Sequence, residues 1–162
     1  MKVQFLLPTN QWLTTEIDKR FAILPNFEAQ EIANTSAKED IKLVVDERAW
    51  KLLTMLQLTR NRFGRMAVSS VYRTKTFNAS IPNADPKSCH LKCWAFDWPC
   101  ANQTATDRTE KTEWWQSLCK AFGEIGAINL YSNGYHMEIG SDIQYGNTQF
   151  VVRDYRGKKG DW

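Results

Sequence analysis

The sequence contains no apolar run long enough to cross a membrane and no dense block of basic residues. A membrane span needs about 20 apolar residues, but the short apolar run after Lys2 ends at Pro8. We therefore expect no membrane partner, no signal peptide, and synthesis in the cytoplasm with reduced thiols. No block of five Lys or Arg residues occurs and the formal net charge is only +3, so we expect no nucleic-acid partner.

Length and composition indicate one globular, monomeric domain over residues 1–162. The chain is 43% hydrophobic and 24% charged, which argues against disorder. A chain of this size buries a core without needing disulfides. Residues 1–26 are expected to be an N-terminal flank packed on a motif-bearing region at 27–140. A basic cluster near the C-terminal end is expected to be a solvated tail rather than a phosphate site; its members are Arg153, Arg156, Lys158 and Lys159.

Hydrophobic spacing predicts helices and strands in an irregular order. Apolar residues at helical spacing predict helices over 47–63 and 109–122, and a short helix is predicted over 15–24. Residues 74–89, with Asn, Pro and Ser throughout, predict a long loop. Predicted strands cover residues 4–7, 66–72, 93–98, 128–131, 135–139 and 149–152. This mixture without a regular βαβ rhythm predicts an α+β fold with a mainly antiparallel sheet and flanking helices.

Both histidines of the chain, His90 and His136, lie near acidic residues. Alternation in the strand at 93–98 places Asp97 on the face opposite three aromatic residues, where a carboxylate needs a partner or a metal. His90 must lie on the bend before that strand, while His136 and Glu138 share one face of the next. Two imidazoles and a carboxylate, with a fourth position for water, form the ligand pattern of catalytic zinc. Spacing alone leaves structural roles for these residues open.

Three segments resemble motifs of the M15 peptidases, in the family's order. SCHLKCWAFD at residues 88–97 resembles the Ser-x-His-x-x-Gly-x-Ala-x-Asp motif. Upstream, SVYR at 70–73 followed by Asn78 resembles Ser-Gly-Tyr-Arg…Asn. Downstream, GAINLY at 126–131 and YHME at 135–138 resemble Gly-x-Gly-x-Tyr…Phe-x-His-x-Asp. The family contains zinc D-Ala-D-Ala carboxypeptidases and phage L-Ala-D-Glu endolysins, so the resemblance implies a hedgehog/D-Ala-D-Ala peptidase-like fold.

The resemblance also implies a ligand set and a substrate. It implies zinc-dependent hydrolysis of peptide bonds in bacterial peptidoglycan stem peptides, by an enzyme of the carboxypeptidase or phage endolysin type, the latter acting on the cell wall at lysis or entry. Arg73 would bind a substrate carboxylate or carbonyl, for which a guanidinium is well shaped, and Tyr72 and Ser88 would contribute to the substrate site. The implied ligands of one Zn²⁺ per chain are His90, Asp97 and His136.

The chain departs from the family pattern at the general base. Many M15 peptidases have an acid three residues before the last His ligand, where this chain has Asn133, which cannot act as a base. Glu138 matches the acid of the family's His-x-Asp ending, and we predict that it is the base or a partner that orients an imidazole. Asp142 is another candidate base. The alternative is a zinc-containing, non-catalytic cell-wall-binding or virion protein on the same fold.

Two family glycines are also replaced, by Val71 and Cys93. The second replacement matters more, because Cys89 and Cys93 flank His90. With Cys100 nearby, these thiols make a structural zinc knuckle a further alternative. A Cys89–Cys93 or Cys93–Cys100 disulfide also stays open.

Overall fold

The computed structural model describes residues 2–21, 23–34, 40–140 and 149–158, which form an α+β fold as predicted. The helices are α1 (Ala29–Ile32), α2 (Glu47–Phe63), α3 (Lys75–Ser80) and α4 (Ala105–Phe122), with a 3₁₀ helix at Cys89–Lys92. The strands are β1 (Lys2–Leu6), β2 (Trp12–Glu16), β3 (Arg20–Phe21), β4 (Leu24–Glu28), β5 (Ala33–Asn34), β6 (Ile41–Val44), β7 (Tyr72–Arg73), β8 (Ala95–Pro99), β9 (Gly126–Tyr131), β10 (Gly134–Ile139) and β11 (Phe150–Asp154). None of the described helices combines the length and apolar character of a membrane span.

Two sheets organise the described strands. The larger has the order β11-β9-β10-β8, with antiparallel pairs except for the parallel pair β11–β9. The other has the order β2-β1-β6, in which β1 and β6 run parallel. Short pairs β3–β4 and β5–β7 complete the pairing. The predicted antiparallel character is confirmed for most pairs, and the parallel pairs make both sheets mixed.

The predicted helix over 47–63 is confirmed as α2. Its first turn is capped by Asp46, whose Oδ1 accepts a hydrogen bond from the Ala49 N–H at 2.7 Å, and it ends at Gly64, which has a φ of 78°. A glycine adopts this positive φ without a steric penalty. The buried face of α2 packs into the core through Leu52, Leu53, Met55 and Leu56.

The second predicted helix begins four residues earlier than its apolar pattern indicated. Thr104 and Asp107 form a capping box at the start of α4, and this polar first turn carries no hydrophobic signal. Trp115 is fully buried, its Nε1 donates to the Ala127 carbonyl at 3.1 Å, and its ring meets Phe96 edge-on at 5.4 Å. These contacts pack α4 against the four-stranded sheet.

The predicted helix over 15–24 is wrong. This stretch contains the end of β2, a turn, β3 and the start of β4. Leu13 and Thr15 pair with Phe5 and Val3 of β1 in antiparallel register, so pairing with a neighbouring strand outweighs the weak local helical pattern.

The predictions for 66–72 and 74–89 are confirmed only in part. Most of 66–72 is irregular: Ser70 forms an isolated bridge with Asp97, and only Tyr72 belongs to a strand. The stretch at 74–89 is mostly loop but contains α3, which is capped by Thr74. The Asn78 side chain donates from Nδ2 to the Asp85 carbonyl at 3.0 Å, which ties α3 to the loop before His90.

Candidate metal centre

A line of four polar residues, the polar row, crosses one face of the four-stranded sheet. Asp97 on β8 and His136 on β10 are direct partners in the antiparallel register. His136 pairs with Asn129 of β9, which pairs with Arg153 of β11. Side chains of residues in register project from the same face of a sheet, so strand pairing alone brings Asp97 and His136 together.

His90 reaches the polar row from the 3₁₀ helix. Ser88 caps this helix, because its Oγ accepts a hydrogen bond from the His90 N–H at 3.3 Å. The helix ends at Cys93, whose φ of 59° and ψ of 40° are left-handed, and whose N–H bonds to the carbonyls of Cys89 and His90. Cys93 thus occupies a conformation that a glycine adopts more cheaply. This turn directs the His90 side chain, which is 1% exposed, toward Asp97.

Three side-chain atoms converge at this point. His90 Nε2 lies 3.2 Å from Asp97 Oδ1 and 3.2 Å from His136 Nδ1, and the last two atoms are 2.7 Å apart. Among the described residues, this is the group of three or more His, Cys, Asp or Glu side chains whose arrangement suits a metal ion. The His136 side chain is 15% exposed, so it is the ring of the cluster that lies nearer to solvent than the fully buried His90 ring.

The contacts of the outer nitrogen of each imidazole determine whether the converging nitrogen carries a proton or a lone pair. His90 Nδ1 lies 2.9 Å from the Val71 carbonyl oxygen, which only accepts hydrogen bonds, so Nδ1 carries the proton. His136 Nε2 lies 3.2 Å from Glu138 Oε2, an ionised oxygen that accepts a hydrogen bond from Nε2–H. With both rings neutral, all three converging atoms present lone pairs to one another. Such a cluster requires a cation, which is either a proton or a metal ion.

Burial and neighbouring charges act in opposite directions on this cluster. Burial dominates at His90 and lowers its pKa, which keeps this imidazole neutral at neutral pH. Burial also disfavours charge on His136, but its hydrogen bonds with Asp97 and Glu138 outweigh that effect and raise its pKa to about 9. Burial would raise the pKa of Asp97, yet the interactions with His90 and His136 hold it well below its usual range. In the metal-free protein the required positive charge therefore resides on His136.

Arg73 contacts the cluster from the side of Asp97. Its Nη2 forms an ion pair with Asp97 Oδ2, and its Nε donates to Ser70 Oγ at 2.8 Å. The Ser70 backbone in turn accepts the Asp97 N–H at 2.9 Å. These contacts hold the Asp97 carboxylate so that Oδ1 faces the histidines. The Arg73 side chain is 16% exposed. The sequence predicts that its guanidinium binds a substrate carboxylate or carbonyl, and that role stays a prediction.

Glu138 contacts the cluster from the opposite side. Its Oε2 faces His136, and its Oε1 accepts a hydrogen bond from Arg153 Nη1 at 2.8 Å. Burial would raise the pKa of Glu138, but His136 and Arg153 outweigh it and lower the value to about 2. Glu138 is therefore an ionised partner of the outer nitrogen of His136, and its role as base or as orienting partner stays a prediction.

The other predicted site residues have structural contacts of their own. Tyr72 is half-buried on β7, and burial raises its pKa. Ser88 caps the 3₁₀ helix, so its observed contact orients His90. Asn133 lies in the turn between β9 and β10, where its carbonyl accepts the Cys100 N–H at 2.8 Å. Asp142 lies outside the described residues. Roles in substrate binding or proton transfer remain predictions for these residues.

The cysteines do not join a metal cluster in the described part of the chain. None of the four cysteines forms a disulfide, so neither disulfide considered from the sequence is present. Cys93 is fully buried, and burial raises the pKa of its thiol, which disfavours the thiolate that zinc binds. The described groups with metal-binding geometry include no cysteine, so the contacts give the zinc-knuckle alternative no support.

Sequence reasoning missed three contributors to the site: Ser70, Asn129 and Arg153. Ser70 and Asn129 lie inside motifs that resemble the family, but neither received a role. The sequence predicts that Arg153 lies in a solvated tail, whereas its side chain is 19% exposed and contacts Glu138 and Asn129. The predicted strand ended at Val152, and extending its alternation by one residue would have placed Arg153 in a sheet.

Comparison with known proteins gives one informative result. A family model described as Peptidase M15 matches residues 25–128, which is more than half of the chain. The matched part includes His90 and Asp97 and ends before His136, Glu138 and Arg153. Searches of curated proteins and of solved structures gave no match. By this match, together with the His-Asp-His cluster, the chain belongs to the M15 family of peptidases.

Proposed function

We propose that this protein is a zinc-dependent peptidase that hydrolyses peptide bonds in peptidoglycan stem peptides. The observation that carries the proposal is the convergence of His90 Nε2, Asp97 Oδ1 and His136 Nδ1 within 3.2 Å of one another. One proton can bridge two of these atoms, whereas a metal ion bonds to all three. Membership of a peptidase family supports hydrolysis as the reaction.

The donor set fits zinc. Two imidazole nitrogens and one carboxylate oxygen are a known ligand combination for catalytic zinc. The two contacts of His90 are 3.2 Å long and the contact between His136 Nδ1 and Asp97 Oδ1 is 2.7 Å, so these three side chains would hold the ion. Each histidine also has a partner on its outer nitrogen, as zinc-binding histidines usually do. When bound, zinc polarises the scissile carbonyl and lowers the pKa of a water molecule to about 7.

The protein's own residues then bind and orient the substrate. Arg73 supplies a positive charge beside the cluster, and a stem peptide carries free carboxylates that a guanidinium binds through two parallel hydrogen bonds. Its contacts with Ser70 and Asp97 use two of its five N–H donors. Glu138 orients His136 through Nε2, and its assignment as the general base remains a prediction, because Oε2 faces the ring edge opposite Nδ1.

A non-catalytic wall-binding or virion protein is the second candidate. The observation that favours it is Asn133, an amide at the position where many relatives have an acid. Such a protein would keep its zinc and bind peptidoglycan without forming products.

Digestion of purified peptidoglycan distinguishes the two functions. The zinc-loaded protein should release new amino groups, and mass spectrometry of the stem peptides should locate them at the D-Ala-D-Ala or L-Ala-D-Glu bond. Removing the metal with a chelator should abolish the release, and added zinc should restore it. Arg156→Ala, which alters a partly exposed arginine paired with Asp154, should retain activity. Binding to peptidoglycan without new amino groups, with zinc bound, would contradict the peptidase and favour the second candidate.

Zinc affinity should increase with pH up to about 9. His136, whose pKa is raised to about 9, holds a proton at neutral pH that must leave before Nδ1 bonds to a metal. Each pH unit below that value should therefore weaken the apparent affinity by about tenfold. Competition with a chelator, corrected for the chelator's own protonation, measures this slope. Glu138→Gln removes one charge that raises this pKa. In that variant the rise in zinc affinity with pH should therefore level off at a lower pH than in the wild type. An affinity independent of pH between about 6 and 9 would contradict the expectation.

A further inference from the structure

We propose that Arg153 is a positioning residue of the metal centre, which acts through Glu138 to hold the His136 ring with Nδ1 facing Asp97. This inference rests on the proposed function, because it concerns the same zinc-binding cluster. It assigns a role to a residue beyond the part of the chain that the family model matches.

A continuous chain of contacts connects Arg153 to the cluster. Arg153 Nη1 donates to Glu138 Oε1 at 2.8 Å and to Asn129 Oδ1 at 2.9 Å. The other carboxylate oxygen, Glu138 Oε2, lies 3.2 Å from His136 Nε2. On the opposite edge of the ring, Nδ1 lies 2.7 Å from Asp97 Oδ1. One carboxylate therefore connects the guanidinium to the outer nitrogen of a predicted metal ligand.

The position of Arg153 in the sheet fixes this geometry. Arg153 and Asn129 are register partners on β11 and β9, and Asn129 is in turn the register partner of His136. The contact with Asn129 thus holds the guanidinium within the polar row, at the height of His136. From there Nη1 reaches the Glu138 carboxylate, which extends from the next position on the same face of β10.

The degree of burial separates this ion pair from ordinary surface pairs. The Arg153 and Glu138 side chains are 19% and 12% exposed, whereas Arg156 and Asp154 are 34% and 41% exposed. Exposed pairs contribute little, but a partly buried carboxylate that loses its partner is left uncompensated. Without Arg153, Glu138 would hold His136 less firmly, because water or an alternative rotamer would replace one of its two charged contacts.

Outer partners of metal-binding histidines typically change metal affinity by roughly 10- to 100-fold when removed. Because Arg153 acts one contact further out, through Glu138, we expect Arg153→Ala to weaken zinc binding by about tenfold, the lower end of that range, and to alter the visible absorption spectrum of the cobalt-substituted protein. Arg153→Lys, which keeps a positive charge beside Glu138, should recover part of the affinity. Arg156→Ala serves as the matched control and should bind zinc as the wild type does. The unfolding midpoint of each metal-free variant shows whether it is folded, and Arg153→Gln replaces Arg153→Ala if the latter is not.

A double-mutant cycle tests the route through Glu138. If Arg153 acts through this carboxylate, Arg153→Ala should have little further effect on zinc affinity in a Glu138→Gln background. Additive losses would overturn the proposed route, and an unchanged affinity and cobalt spectrum in Arg153→Ala would overturn the role itself. Failure of the proposed function looks different, because the wild-type protein would then bind no zinc, or would bind zinc and peptidoglycan without releasing new amino groups.

Discussion

The His136→Ala variant should retain almost no zinc, whereas the wild-type protein should contain one ion per chain. The substitution removes one of three converging ligand atoms and leaves His90 and Asp97 alone. We expect affinity to fall by more than about 100-fold, which is the upper end of the effect of outer partners alone. Elemental analysis of protein purified without chelators, followed by a competition titration, measures both quantities.

Cys93→Ser is the matched variant for this experiment. It keeps roughly the size of a fully buried side chain in a left-handed turn and removes the thiol at the C-terminal end of the 3₁₀ helix. Zinc content should be unchanged. Zinc that survives the loss of His136 but is lost in Cys93→Ser would identify a thiolate site and would contradict the proposed peptidase.

Trp115→Ala should destabilise the metal-free protein by about 3–5 kcal/mol, the usual cost of truncating a large buried aromatic side chain. Trp115 is fully buried against Phe96, and its Nε1 donates to the Ala127 carbonyl on β9. The variant therefore leaves a cavity between α4 and the four-stranded sheet and removes the hydrogen bond to the Ala127 carbonyl. Urea unfolding followed by circular dichroism gives the free energy of unfolding.

Two further tryptophan variants calibrate that measurement. Trp115→Phe keeps a ring in the cavity and loses the hydrogen bond, so its loss should be smaller than that of Trp115→Ala. Trp12→Ala changes a side chain that is 49% exposed and should shift the free energy of unfolding by no more than about 0.5 kcal/mol. Equal losses for Trp12 and Trp115 would show that the core does not depend on the contact between α4 and the sheet.

The sequence predicted the parts of the site that short-range patterns encode. Alternation along β8 and β10 placed Asp97 and His136 on defined faces, and the bend before β8 was required by the spacing of His90. The helix α2 was predicted to its ends because Asp46 and Gly64 mark them. In each case the residues that predict the strand face, the bend or the helix end lie within a few positions of it in the sequence.

The remaining features depend on contacts between distant parts of the chain. Arg153 joins the site through the parallel pairing of β11 with β9, and no local pattern specifies which strands become neighbours. The helix prediction for 15–24 failed for the same reason, because pairing of β2 with β1 determines the structure at the start of this stretch. The orientation of Glu138 toward the outer edge of His136 also follows from side-chain packing, which alternation does not encode.

The metal centre depends on the register of β10 against β8, because Asp97 and His136 meet only when these strands are correctly aligned. Sliding β10 by one residue against β8 would move His136 to the opposite face of the sheet. An ion that binds only the aligned state stabilises that state by mass action, so zinc bound as proposed would select against slipped pairings of these strands during refolding. His90, Asp97 and His136 would then also help to determine which sheet the chain forms.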